Sequence, residues 1–256
     1  MRDAVESGLT RVFIAAVFLI LSLAGSVRAE AVTVKARPST VEISSFYQGH
    51  EITIIGAIPA GHQAVAEVVG PVGQEHLMRK GRVGPLWLNV GEITVSGAPS
   101  LYFALSTTPD LLTGASPWGF QALMQHLSLA GKVHQNEMAK FTEQFLELKK
   151  SENLYAVWPG GLKTKPADDG RLEVTGKFWL PANVKPDTYK VCLTAVLDGK
   201  AVDQHCSNLS VQMVGFPALL MSLAYEHAAL YGILAVVIAI LTGFIMGYLF
   251  KGGGGH

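Results

Sequence analysis

The sequence predicts a mainly β protein: an immunoglobulin-like β-sandwich ectodomain with a helical insertion, followed by one C-terminal transmembrane helix. Three observations support this fold class: short β-type runs between turn residues over residues 32–214, a helical pattern near residues 117–153, and an uncharged apolar run at residues 228–250. Only 16% of the residues are charged, against roughly 25% in a typical soluble domain. The excess of apolar residues is concentrated at the two ends of the chain.

The first 31 residues are predicted to be a signal peptide. Arg11 precedes an apolar run, Val12 to Gly25. A run of this length is short for a hydrocarbon core of ~30 Å and is typical of a signal-peptide core. Small residues at Ala29 and Ala31 allow cleavage after either one, and an uncleaved anchor is the alternative.

The ectodomain is predicted at residues 32–214, because short β-type runs recur there between turn residues. Turn chemistry such as Gly84-Pro85 and Asp198-Gly199 separates these runs, as in a sandwich. The predicted strands cover residues 32–36, 41–44, 51–57, 64–69, 86–90, 101–106, 172–180, 189–197 and 202–214.

A helical insertion is predicted at about residues 117–153, where β-branched residues are few. Residues 133–150 place one set of apolar side chains near one helical face and charged side chains opposite them. We expect a helical hairpin, inserted between two strands and packed against the sandwich. The apolar set consists of Val133, Met138, Phe141, Phe145 and Leu148.

The only two cysteines, Cys192 and Cys206, are predicted to form a structural disulfide. If residues 198–200 form a three-residue hairpin loop, Leu197 pairs with Ala201, and the same register places the two cysteines opposite each other. Opposed positions on antiparallel strands have Cβ atoms about 4.5–5.5 Å apart, close to what a disulfide requires. Export to an oxidising compartment favours the bond. Two free thiols, or a metal or redox site, are the alternatives.

The C-terminal run Ala228 to Phe250 is predicted to be a transmembrane helix. It contains no charged residue, and at ~1.5 Å per residue it is long enough to span a bilayer. Its backbone groups can be satisfied in lipid only by helical hydrogen bonds. Residues 215–227 then form a juxtamembrane segment, and residues 251–256 form a short cytoplasmic tail.

Four small residues within this run favour helix packing in the membrane. They recur at four-residue spacing, and the last two form a GxxxG pair, which lets another helix approach closely. We expect either self-association or contact with a separate membrane-protein partner, and the general abundance of Gly and Ala in membrane helices is the alternative. The four residues are Ala235, Ala239, Gly243 and Gly247.

Neither charge nor motifs indicate a reaction. The 20 Lys and Arg residues balance the 20 Asp and Glu residues, which argues against nucleic acid as a partner. The sequence contains no HExxH, GxSxG, P-loop or Rossmann fingerprint, so we predict no catalytic residue, no metal site and no cofactor. The basic residues Arg79, Lys80 and Arg82, ahead of Trp87, are a candidate contact for an anion or an acidic partner, and a solvated loop is the alternative.

A series of motifs resembles a known family. They include EITIIGA at 51–57, VVGP at 68–71, RKGRVGPLWLN at 79–89, PSLYF at 99–103, LPANV at 180–184, and Glu226 with LYG at 230–232. Their order and spacing resemble conserved transmembrane proteins first grouped from alphaproteobacteria, over about residues 32–250. The family usually ends in basic residues after its anchor, whereas only Lys251 remains here.

The resemblance implies a bacterial inner-membrane protein with a periplasmic domain and no assigned activity. Members of the family often accompany a permease similar to sulfite exporters, which implies an accessory role. The sequence therefore favours a single-pass, membrane-anchored, non-enzymatic interaction protein of the periplasm. A periplasmic solute- or metal-binding domain is the alternative, and a periplasmic enzyme is a third hypothesis.

Overall fold

A computed structural model describes residues 32–114, 116–131 and 138–250. The predicted signal peptide (1–31) and tail (251–256) lie outside these residues. The strands are β1 (Thr33–Arg37), β2 (Thr40–Ile43), β3 (His50–Pro59), β4 (Gln63–Val69), β5 (Val72–Val83), β6 (Leu86–Pro99), β7 (Tyr102–Ser106), β8 (Ser128–Gly131), β9 (Tyr155–Trp158), β10 (Lys163–Pro166), β11 (Arg171–Leu180), β12 (Asp187–Leu197) and β13 (Lys200–Met213). The helices are α1 (Phe120–His126), α2 (Met138–Ser151), α3 (Phe216–Tyr225) and α4 (Ala228–Phe250), with a 3-10 turn at Pro109–Leu112.

Two sheets pack face to face around one core. The first has the strand order β1-β3-β11-β10, and the second has the order β2-β13-β12-β4-β7-β9. Phe103 of the second sheet contacts Phe178 of the first, with ring centroids 5.4 Å apart. A Cβ on Gly56 would lie 2.6 Å from Leu193, so only glycine allows this close approach between the sheets. The predicted mainly β fold with a helical insertion and one C-terminal apolar helix is confirmed.

The helical insertion packs on the outer face of the second sheet at β7 and β9, and every residue of β7 is buried. Tyr102 lies against Phe120 of α1, with ring centroids 6.4 Å apart. Phe145 of α2 packs edge-on against Tyr155 at 6.1 Å. These aromatic contacts join the insertion to the core of the sandwich.

The predicted helical hairpin is wrong in detail. Residues 128–131 form strand β8, which pairs with β6 and so satisfies the backbone groups along that edge. Helix α1 has only seven residues, and α2 begins at Met138 among the described residues. Val133 lies outside the described residues.

Four strands were not predicted, namely β5, β8, β9 and β10, and β6 continues to Pro99 instead of ending at Val90. Strand β5 was missed because its sequence, VGQEHLMRKGRV, is rich in polar and basic residues. Its backbone pairs along most of its length with β6, rather than packing an apolar face on the sandwich core.

The structure joins Cys192 and Cys206 by a disulfide between β12 and β13. The predicted three-residue loop is wrong: Leu197 pairs with Lys200, and the loop contains only Asp198 and Gly199. Both loop residues have positive φ angles, 50° and 74°, as a type I′ turn requires. A bulge beyond Ala195 then restores the register that places the cysteines opposite each other.

We call the end of the sandwich that contains Asp187 and Met213 the exit end, because the chain leaves β13 there. The end of β4 and the start of β7 lie at the same end, since Val69 pairs with both Lys190 and Tyr102. Only Val214 and Gly215 separate β13 from α3. The N–H of Val214 donates a 2.9 Å hydrogen bond to the carbonyl of Ile43, which holds the exit point against β2.

The C-terminal helices are apolar and exposed. Helix α3 begins with Pro217 in its first turn, where a missing N–H costs nothing. Helix α4 has 23 residues and is long and apolar enough to cross a membrane. None of its residues is buried. The four small residues of the predicted packing stripe all lie on α4, where nothing lies within 4 Å of a Cβ built on Gly243 or Gly247. The stripe is therefore available for another helix.

Candidate interaction surface on the β5–β6 hairpin

The β5–β6 hairpin continues the β4–β7 ladder beyond the exit end. Val69 pairs with Tyr102 at the end of β4, and Val72 pairs with Pro99 at the start of β5. Two backbone hydrogen bonds of 2.9 Å between these pairs keep the ladder in register. The twelve residues of β5 correspond to a ribbon about 40 Å long at ~3.3 Å per residue. The hairpin therefore leaves the sandwich at the same end as the anchor.

A two-residue turn closes the hairpin. Val83 pairs with Leu86, and only Gly84 and Pro85 lie between them. Gly84 has a φ of 62°, a conformation that is costly for residues with a Cβ, and glycine is typical of the first position of a type II′ turn. The Gly-Pro pair thus defines the tip.

The two faces of the hairpin differ in chemistry. The inner face, toward α2, carries Leu77 and Ile93 near the base, and Leu86 and Leu88 near the tip. Successive side chains alternate between faces, so Lys80, Arg82 and Trp87 share the outer face near the tip.

A bulge between Arg79 and Lys80 adds an extra residue, Val90, on β6. Val90 packs over Gly81, where a Cβ would approach its methyl carbon to 2.5 Å. The inner face near the tip is therefore apolar without a break.

Helix α2 and the base of the inner face enclose a groove of about 490 Å³. The guanidinium of Arg79 lies 6.0 Å from the ring centroid of Phe141, in range of a cation–π contact. The groove is thus apolar with a cationic wall, and its lining includes Leu77, Arg79, Ile93, Phe141, Gln144 and Leu148.

Lys149 ties α2 to the base of the hairpin. It is only 7% exposed, and its Nζ lies 3.3 Å from the Oε1 of Glu75 on β5 and 3.6 Å from the Oε2 of Glu152. Lys185 approaches the same Glu75 oxygen at 3.8 Å but is largely exposed. A buried cation is stable only when carboxylates compensate its lost hydration, so this contact specifies how α2 sits on β5.

Lys149→Met is expected to lower the free energy of unfolding by about 1–3 kcal/mol, because Glu75 loses its buried partner. Hydrogen exchange should rise in α2 and β8 and stay unchanged in β3 and β12. The matched control is Lys185→Met, whose exposed pair is worth about 0–1 kcal/mol. Equal losses for the two variants in urea unfolding would contradict this role of Lys149.

Tyr102 anchors the other part of the insertion. Its Oη donates to the Oε1 of Glu67 at 2.8 Å and accepts from the N–H of Gly119 at 3.0 Å. Burial raises the pKa of Glu67, and the hydrogen bond from Tyr102 opposes that rise. Burial and the nearby Glu67 carboxyl also raise the pKa of Tyr102, which stays protonated and keeps its donor. These hydrogen bonds therefore stabilise the position of the insertion on the second sheet.

The tip exposes apolar side chains on both of its faces. Leu86 is 60% exposed and Trp87 is 71% exposed, although both are residues that proteins usually bury. Val83, Leu88 and Val90 are also exposed. An exposed apolar cluster bordered by charge is typical of an interaction site.

The strand places the three basic residues that the sequence singled out on two different faces of the hairpin. Arg79 lies on the inner face against Phe141, whereas Lys80 and Arg82 are exposed on the outer face. The Nε of Arg82 donates to the carbonyl of Gly84 at 3.1 Å, across the turn. Sequence reasoning could not separate the three because it did not place them on a strand. It also overlooked the exposed pair of His76 and Glu92, 2.7 Å apart on the outer face.

The described residues include no group of three or more His, Cys, Asp or Glu side chains arranged to hold a metal ion. Their distinctive features are a β-sandwich, a protruding hairpin and a C-terminal apolar helix. These features are those of a β-sandwich protein with one helix, among the described residues, that is long and apolar enough to cross a membrane. A sequence model of the family described as "Putative transmembrane protein (Alph_Pro_TM)" matches residues 31–252, and the chain belongs to this family. No curated protein and no solved structure matches the chain.

Proposed function

We propose that this protein is a non-enzymatic accessory subunit of a complex in the bacterial inner membrane, with its β domain in the periplasm. Its partner is an integral membrane protein, such as a permease of the sulfite-exporter type. The observation that carries the proposal is the groove between α2 and the hairpin, which leaves the sandwich at the same end as the anchor. Because the hairpin leaves the sandwich at the end that carries the anchor, we expect it to contact a protein in the same membrane.

Two features support the periplasmic orientation. The disulfide between Cys192 and Cys206 is of the kind that persists in oxidising compartments. The predicted signal peptide directs the chain after Ala31 across the membrane, and α4 then stops translocation.

The strand order supports an immunoglobulin-like assignment. With β1, β3, β11 and β10 as strands A, B, E and D, the second sheet corresponds to A′, G, F, C and C′, extended by β9. The Oη of Tyr189 donates to the carbonyl of Lys185 at 2.7 Å, the hydrogen bond of a tyrosine corner near the start of strand F. The disulfide departs from the pattern, because it joins strands F and G instead of B and F. Such sandwiches serve many functions, so the fold permits a binding role without proving it.

The groove is the proposed contact for the ectodomain of the partner. A photo-reactive amino acid at Gln144 or Leu148, which line the groove from α2, is expected in full-length protein to attach a membrane protein in intact cells. The control is Leu197, which is also exposed but lies at the opposite end of the sandwich. Attachment of the same protein from Leu197, or of none from the groove, would contradict the proposal.

The stripe on α4 is a second contact to be tested in the same complex. Gly243→Leu with Gly247→Leu is expected to reduce recovery of the partner at least about ten-fold, because leucine separates closely packed helices. The matched control enlarges the opposite helix face, with Val237→Phe and Leu241→Phe. Equal recovery of the partner with the two double variants would show that the stripe does not contact the partner. The hairpin would then be the only proposed contact.

The groove also favours a second candidate function, because its volume is in the range of small-molecule sites, roughly 300–1,000 Å³. A periplasmic solute with an apolar body and an anionic group would match Phe141 and Arg79. In that case the probe at Gln144 attaches no protein, and native mass spectrometry of the purified chain shows a bound small molecule.

A further inference from the structure

The exposed aromatic side chains of the described β domain share one end. Phe46 is 91% exposed, Trp87 is 71% exposed and Trp179 is 57% exposed. Phe46 lies in the loop between β2 and β3, and Trp179 is one residue from the end of β11. Both positions are at the exit end, because Ile43 pairs with Met213 and β11 leads directly into β12. Trp87 is carried by the hairpin that leaves the same end.

The exit end is close to the membrane. Val214 and Gly215 can span about 7 Å, and the ten residues of α3 about 15 Å. The hairpin, about 40 Å long, exceeds this separation. Its tip can therefore reach the bilayer whether α3 stands upright or lies on the surface.

The composition of the tip matches a membrane interface. Tryptophan is enriched at the level of lipid headgroups because its ring is amphipathic. Leu86 and Val83 add apolar surface, and Lys80 and Arg82 add two exposed positive charges. Neither of these cations forms an ion pair within the part of the chain that the structure describes. Basic residues near the surface attract anionic lipids.

We propose that the hairpin tip, residues 80–88, binds the anionic headgroup region of the same membrane that holds α4. The β domain then has a second membrane contact besides its anchor, which fixes its orientation above the bilayer. This contact goes beyond the accessory function and requires no protein partner.

The test uses purified full-length protein in nanodiscs, with an environment-sensitive fluorophore on Leu86→Cys and quencher groups on the lipids. The native cysteines are joined in the disulfide, so the new thiol is labelled selectively. Discs of phosphatidylcholine mixed with phosphatidylglycerol are expected to quench the label strongly. A label on Lys200→Cys, at the opposite end of the sandwich, is expected to show none of this quenching.

Charge reversal tests the role of the cations. Lys80→Glu with Arg82→Glu is expected to lower the equilibrium constant between the lipid-bound and free states of the tip at least about ten-fold, since each basic residue near the surface contributes about five-fold to that constant. Lys163→Glu with Lys165→Glu, an exposed pair of the same spacing on β10, is expected to have no effect. Wild-type protein in discs of phosphatidylcholine alone should resemble the Lys80→Glu, Arg82→Glu variant.

Absence of quenching at position 86 in anionic discs would overturn the proposal, as would equal quenching in the two charge-reversed pairs. Quenching at position 86 only after a partner protein is added would assign the tip to protein contact and also overturn it. The nanodiscs contain no partner, so these outcomes are independent of the crosslinking from Gln144 that tests the accessory function.

Discussion

Phe103→Ala is expected to lower the free energy of unfolding by about 3–5 kcal/mol, the largest effect of any single substitution proposed for this chain. Phe103 is 1% exposed and lies between the two sheets. Its ring packs edge-on against Trp158 at 5.2 Å and against Phe178 at 5.4 Å. Alanine would leave a cavity that neither β9 nor β11 can fill, because both strands are held by their ladders.

The measurement is urea unfolding of the full-length protein in detergent. Tryptophan fluorescence, to which Trp158 contributes directly, monitors the transition. Phe46→Ala is the matched control: the same atoms are removed from a side chain that is 91% exposed, and the change should stay within about 0.5 kcal/mol. Phe103→Leu should cost only about 1 kcal/mol, since most of the volume is retained. Similar losses for Phe103→Ala and Phe46→Ala would disprove the placement of Phe103 at the sheet interface.

Replacement of both Cys192 and Cys206 by alanine is expected to lower the free energy of unfolding by about 2–4 kcal/mol. The two residues are 14 apart in sequence, and in the unfolded chain their crosslink removes the entropy of that loop. The bond lies between β12 and β13, and β12 also pairs with β4 at the centre of the second sheet. Loss of the bond should therefore loosen the strand that leads to the anchor.

Reduction provides the control for this prediction. A reductant should lower the stability of the wild-type protein by the same amount and leave the double alanine variant unchanged. In intact cells, the mature protein should react with a thiol reagent only after reduction. Immediate labelling of both cysteines would contradict the disulfide and, with it, the main chemical support for a periplasmic β domain.

Patterns within a strand predicted much of the sandwich. Strand β3 alternates buried isoleucines with less buried positions, as its sequence indicates. The cysteine register was also predictable, although by way of a wrong loop: the actual turn is one residue shorter, and a bulge compensates. Local sequence cannot show such compensation, because the register is decided by how the whole strand packs between its neighbours.

The hairpin could not be predicted in the same way. The residues of β5 show no apolar alternation strong enough for a core strand, because they pair with β6 outside the sandwich. The burial of Lys149 beside Glu75 could not be predicted from the sequence either. The two residues are 74 positions apart and come into contact only when α2 packs on β5. The basic cluster was noticed as three basic residues within four positions. The strand then places Arg79 on one face, and Lys80 and Arg82 on the other face together with Trp87.

The sequence by itself determined the apolar C-terminal helix and the β character of the domain. Hydropathy and side-chain periodicity act over a few residues, so these properties are present in the chain before it folds. Only the tertiary structure decided that β5 and β6 extend past the exit end, that α2 packs against the base of their inner face, and that Trp87 remains exposed. Those features depend on which distant segments meet and exclude water from each other, and that is a property of packing.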